Sequence, residues 1–62
     1  MIEDKLFEDC YRIADKYETN LLQVLMQYSS IEIDYKRKMV DVPYDVLIRE
    51  TEVYFKEELD KQ

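Results

Sequence analysis

Ser29-Ser30-Ile31-Glu32-Ile33-Asp34-Tyr35-Lys36-Arg37-Lys38-Met39-Val40-Asp41-Val42 is the stretch on which the fold class turns. Read as a helix, it opens on a Ser29/Glu32 capping box and carries Glu32–Lys36 and Asp34–Lys38 as i,i+4 pairs. Lys36, Arg37 and Lys38 then fall near a C-terminus, where the helix dipole favours cations. Ile31, Tyr35, Met39 and Val42 form its apolar stripe. Read as a hairpin, Ile31, Ile33 and Tyr35 alternate with acids, and a short loop sets Tyr35 opposite Val40 and Ile33 opposite Val42. The same register sets Asp34 opposite Asp41, which is unfavourable, and the loop has neither Gly nor Asn. Helix is the preferred reading, and an α+β fold with a short hairpin at 31–42 is the alternative.

Upstream, Ile2, Leu6, Cys10, Ile13, Tyr17, Leu21, Val24 and Tyr28 step by fours and threes, the stripe of an amphipathic helix. Phe7, Ala14, Leu22 and Leu25 widen it. Glu3 and Asp4 suit a first helical turn, and Glu8–Arg12 is an i,i+4 pair. A helix is expected over residues 2–28. The alternative is a break near Glu18-Thr19-Asn20, with Asn20 and Gln23 capping a new helix. Downstream, Pro43 suits a first helical turn, with Asp41 or Val42 as cap. Tyr44, Leu47, Ile48, Thr51, Tyr54, Phe55 and Leu59 make the stripe of a helix running to the end. Asp45–Arg49, Glu52–Lys56 and Glu57–Lys61 are its expected i,i+4 pairs. The whole, residues 1–62, reads as one small all-α domain of two or three antiparallel helices.

Composition agrees. The 62 residues include no glycine and a single proline, which disfavours tight hairpins and phosphate-cradling loops. With 47% hydrophobic residues and eight aromatics, the chain is a poor candidate for disorder. Chains this short usually need a staple. Cys10 is the only cysteine and there is no histidine, so a disulfide framework and a zinc site are both disfavoured. Oligomerisation is the staple left, and a homodimer completing a helical bundle, or an obligate complex with another chain, is expected.

The lone cysteine, the lack of a long apolar run and the acidic start Met1-Ile2-Glu3-Asp4 point to the cytoplasm, with no membrane partner. Fifteen acids against nine bases give a net charge of −6, which disfavours phosphate-driven binding of nucleic acid.

The same residues disfavour catalysis, so no enzyme activity and no cofactor are expected. No imidazole is available for acid–base work near neutral pH. Cys10 sits on the apolar stripe and reads as a core thiol. The acids read as solvent-facing, so no catalytic or metal site is expected.

The leading expectation is a non-catalytic regulatory or inhibitory protein that binds another protein through a helical surface. Among the six tyrosines, Tyr17, Tyr28, Tyr35 and Tyr54 fall on core stripes, whereas Tyr11 and Tyr44 fit a stripe less closely. Tyr11 and Tyr44, with Glu52, Glu57 and Glu58, are therefore the candidate partner-binding residues. The acids also permit an alternative, a DNA-mimicking inhibitor.

A third reading rests on Lys36, Arg37 and Lys38, the one basic cluster, as a nucleic-acid contact. Lys36-Arg37-Lys38-Met39-Val40-Asp41-Val42-Pro43-Tyr44 followed by helix resembles the strand-into-helix entry of ribbon-helix-helix DNA-binding proteins. That resemblance implies a small DNA-binding regulator. The family needs a second helix after a turn, which this sequence does not supply, and no residue role is carried over.

Overall fold

The computed structural model describes residues 2–61, with side chains from residue 4 onward. The stripe's first member, Ile2, and the first-turn acid Glu3 therefore have side chains outside the described residues. The order is α1 (Ile2–Lys16), α2 (Leu21–Arg37) and α3 (Tyr44–Asp60). Among the described residues there is no strand, so the hairpin at 31–42 is not formed. Residues 31–37 complete α2, and 38–43 connect it to α3. The strand-into-helix entry resembling ribbon-helix-helix proteins is absent with it.

The expected continuous helix 2–28 is broken. Glu18 takes a left-handed conformation, φ 58°, just past the end of α1. The Thr19 amide then donates back to the Ala14 carbonyl at 2.9 Å. Asn20 follows with extended backbone, and its side chain accepts from the Gln23 amide at 2.9 Å. One helix is closed and the next capped within four residues, because Asn20 satisfies an amide that a helix start leaves open. That start lies at Leu21, so Ser29 is interior to α2 and the Ser29/Glu32 capping box does not form.

The C-terminus of α2 repeats the device with Met39 at φ 59°. The Met39 amide donates to Lys36 O and the Val40 amide to Tyr35 O, both at 3.0 Å, the Schellman pattern. Lys36 and Arg37 occupy the last turn, as expected for cations. At α3 the cap is Pro43 itself rather than Asp41 or Val42; its carbonyl accepts from the Val46 and Leu47 amides at 3.1 and 3.3 Å.

The short connection makes α1 and α2 antiparallel neighbours. Early α1 meets early α3 (Asp9 with Tyr44) and late α1 meets later α3 (Tyr17 with Glu52), so α1 and α3 run the same way. The core is small. Cys10, Ile13 and Ala14 of α1, Val24 and Tyr28 of α2, and Leu47 and Thr51 of α3 are buried. Leu6, Tyr17, Leu21, Leu25, Ile48 and Phe55 pack around it. Thr51 is tolerated there because its hydroxyl donates to Leu47 O at 2.8 Å.

Three size measures show how little this core closes. The Cα radius of gyration is 11.5 Å, where a compact chain of this length has about 10.6 Å. The extents are 34 × 28 × 16 Å, a slab rather than a globule. Accessible surface is 4833 Å², against about 4,300 Å² expected for the mass. No helix among the described residues is long and apolar enough to cross a membrane.

Candidate functional site

Two ion-pair and hydrogen-bond centres tie α3 to α1. Glu52 accepts from Tyr17 Oη at 2.8 Å, Arg12 Nη1 at 3.0 Å and Lys16 Nζ at 3.3 Å. Burial alone would raise its pKa, but these three donors outweigh it and hold the carboxyl below the ordinary value. Asp9 accepts from Tyr44 Oη at 2.7 Å and lies 3.4 Å from Lys5 Nζ. Burial first, then this bond to a carboxylate, pushes the Tyr44 phenol well above its usual range. Tyr44 also packs against Tyr28, ring centroids 6.1 Å apart.

These contacts correct the sequence reading at several points. Asp9, Glu50 and Glu52 are half-buried rather than solvent-facing, because each carboxylate accepts a tyrosine hydroxyl from a neighbouring helix. Arg12 turns to Glu52 and Asp9, not to Glu8; Glu52 bonds to α1 rather than to Lys56; and Lys61 lies 3.6 Å from Glu58, not on Glu57. Tyr44 is half-buried, whereas Tyr54 opens to solvent, its ring edge-on to Phe55 at 5.0 Å. Phe7 and Leu22 lie outside the stripe they were expected to widen, and Met39 is 93% exposed rather than in a stripe.

Between α2 and α3 runs a groove of about 430 Å³. Its apolar wall is Ile31, Val53 and Tyr54; its charged side chains are Asp34, Glu50 and Glu57 against Lys38 and Arg49. Tyr35 Oη donates to Glu50 Oε1 at 2.8 Å across it. That bond raises the tyrosine pKa. The other oxygen, Glu50 Oε2, is buried and has no hydrogen-bond partner among the described residues. An unpaired buried carboxylate oxygen is unfavourable. Sequence reasoning missed Glu50 because periodicity gives a residue's face but not what its neighbour donates.

The candidate partner-binding residues are not brought together. Tyr11 is exposed on α1, Tyr44 and Glu52 bond between helices, Glu57 lines the α2–α3 groove, and Glu58 borders a separate hollow by Tyr17 and Thr19. Glu52, Glu57 and Glu58 thus face three directions and form no single acidic face. The basic cluster also diverges: Lys36 lies 3.9 Å from Glu32, Arg37 borders the outer side of α2, and Lys38 enters the groove.

Cys10 is buried, and desolvation, then the nearby Asp9, raises its thiol pKa away from the reactive thiolate. No group of three or more His, Cys, Asp or Glu side chains suited to a metal ion occurs among the described residues. No family, curated protein or solved structure matches the chain.

Proposed function

We propose that the chain is a non-catalytic regulatory protein that acts by binding another protein, as a homodimer, and that the α2–α3 groove takes the partner. The observation that carries this reading is the groove's composition. Ile31, Val53 and Tyr54 offer apolar contact, and two tyrosines offer rigid area at low entropic cost. The exposed carboxylates Asp34 and Glu57 among its lining residues favour a cation. The partner is therefore an apolar segment that carries a lysine or arginine, which also suits a chain of net charge −6. DNA mimicry and DNA binding draw no comparable support, since the acids and cations they would use diverge.

The experiment compares retention of proteins from an extract of the source cells on immobilised wild type, Val53→Lys, Glu57→Lys and Lys56→Glu. A partner held by wild type and Lys56→Glu, weakened at least tenfold by the two groove variants, and retained when salt is raised from about 0.15 to 0.5 M supports docking in the groove. Retention lost with salt alone, with the groove variants binding like wild type, would overturn it in favour of an acidic mimic.

A further inference from the structure

The outer face of α2, turned away from the core, is apolar where a surface helix is ordinarily polar. Leu22 is 65% exposed, Met26 58% and Ile33 47%. With Ser29 these follow the four-three-four spacing of a coiled-coil seam. Over Ser29 and Ser30, between Met26 and Ile33, lies a shallow concavity of about 480 Å³, bordered by Arg37 at its far end. From α1, Phe7 and Tyr11 are also exposed; the helical period puts Phe7 on the side of α1 opposite Lys16, which faces α3. The slab is thin and its core small, so an uncovered apolar helix face is the surface a second layer would close.

The sequence of this face names its occupant. Read outward from Ser29/Ser30, its spacing is the same in both directions: apolar Met26 stands as far to one side as apolar Ile33 to the other, and Leu22 as far as Arg37, whose long methylene stem can cover it. We propose that a second copy of this chain covers it, with the two α2 helices antiparallel about a two-fold axis passing between Ser29 and Ser30. Met26 of each copy then packs on Ile33 of the other, and the small serines let the helices approach at the crossing. Leu22 meets the methylene stem of Arg37 from the other copy. The ends complement one another in charge, since Arg37 comes beside the α1–α2 turn of the opposing copy, where Glu18 is exposed. The α2–α3 groove adjoins this face only at Asp34, which borders both, and its other walls lie outside the crossing. The inference rests on the homodimer part of the proposed function and adds its face, direction and register.

Sedimentation equilibrium of the full chain at micromolar concentrations tests it, with circular dichroism as the control for folding. Wild type is expected to be a dimer. Met26→Lys and Ile33→Glu, each at an exposed position, are expected to be folded monomers. The double variant carrying both in one chain is expected to regain the dimer, with association weakening as salt rises, because only the antiparallel register sets the introduced cation against the introduced acid. Ser30→Cys is expected to cross-link to itself on mild oxidation and the α3 control Lys56→Cys not to. A monomeric wild type would overturn the homodimer and the interface together. A dimer that survives both single variants would overturn the interface while leaving the homodimer standing. Single variants that dissociate with no recovery in the double variant would overturn the antiparallel register.

Discussion

Glu52 of α3 accepts the hydroxyl of Tyr17, the residue that closes α1, at 2.8 Å. Arg12 and Lys16 converge on the same carboxylate. Of the two carboxylates that tie α1 to α3, Glu52 and Asp9, Glu52 thus gathers the larger set of donors. The folded-state pKa of Glu52 is lowered, so its stabilisation is present above the ordinary value of 4.5 and lost as pH falls through the folded value. Stability measured by denaturant melts should fall below about pH 4.5, and Glu52→Gln should flatten that fall. At neutral pH Glu52→Ala should cost about 1–2 kcal/mol. Identical acid profiles for wild type and Glu52→Gln would show that the centre contributes nothing.

The two chain reversals make opposite demands on substitution. Asn20→Ala should destabilise by about 1 kcal/mol, since it removes the cap on the Gln23 amide. Met39→Gly should stabilise by about 0.5–1 kcal/mol, because Met39 is held at φ 59° and its exposed side chain has little packing to lose. Thermal melts of the two variants shifting in the same direction would contradict this account of the turns.

Leu47 and Leu25 look alike as stripe members but differ in place. Leu47 is buried on α3, and Leu25 sits partly exposed at the edge of the core. Leu47→Ala should cost about 2–4 kcal/mol and Leu25→Ala distinctly less. Equal losses in urea melts would mean that the α1–α2 seam is more tightly closed than the structure has it.

That contrast marks what the sequence could and could not convey. The inner stripe was legible at Cys10, Ile13, Val24, Tyr28, Leu47 and Thr51, because helical period fixes a face. The helix at 31–37 was legible because the hairpin register opposed Asp34 to Asp41. The break at Glu18 was ambiguous, since a chain without glycine must place an ordinary residue in the left-handed region and leaves no marker. Glu52, Glu50 and Asp9 were misread as solvated because their tyrosine donors come from other helices, up to 35 residues away in sequence. The second apolar face of α2 was hidden for another reason: with Val24 and Tyr28 inside and Leu22, Met26 and Ile33 outside, the helix has no clear polar side.

Lys36, Arg37 and Lys38 leave the helix end in different directions, so they should present no common phosphate contact. In a mobility-shift assay near about 0.15 M salt, wild type and the triple alanine variant should be alike in showing no retained duplex DNA. Sub-micromolar binding that the triple variant abolishes would restore the DNA-binding alternative.

The claim that the chain works by protein contact at the α2–α3 groove is tested most directly by nuclear magnetic resonance. Amide shifts of the isotopically labelled chain are followed as the protein captured from source cells is titrated in. Shifts are expected to concentrate at Ile31, Tyr35, Val53, Tyr54 and Glu57 and to persist at high salt. Shifts centred instead on exposed acids outside the groove, such as Asp45 and Asp60, and vanishing with salt, would contradict it.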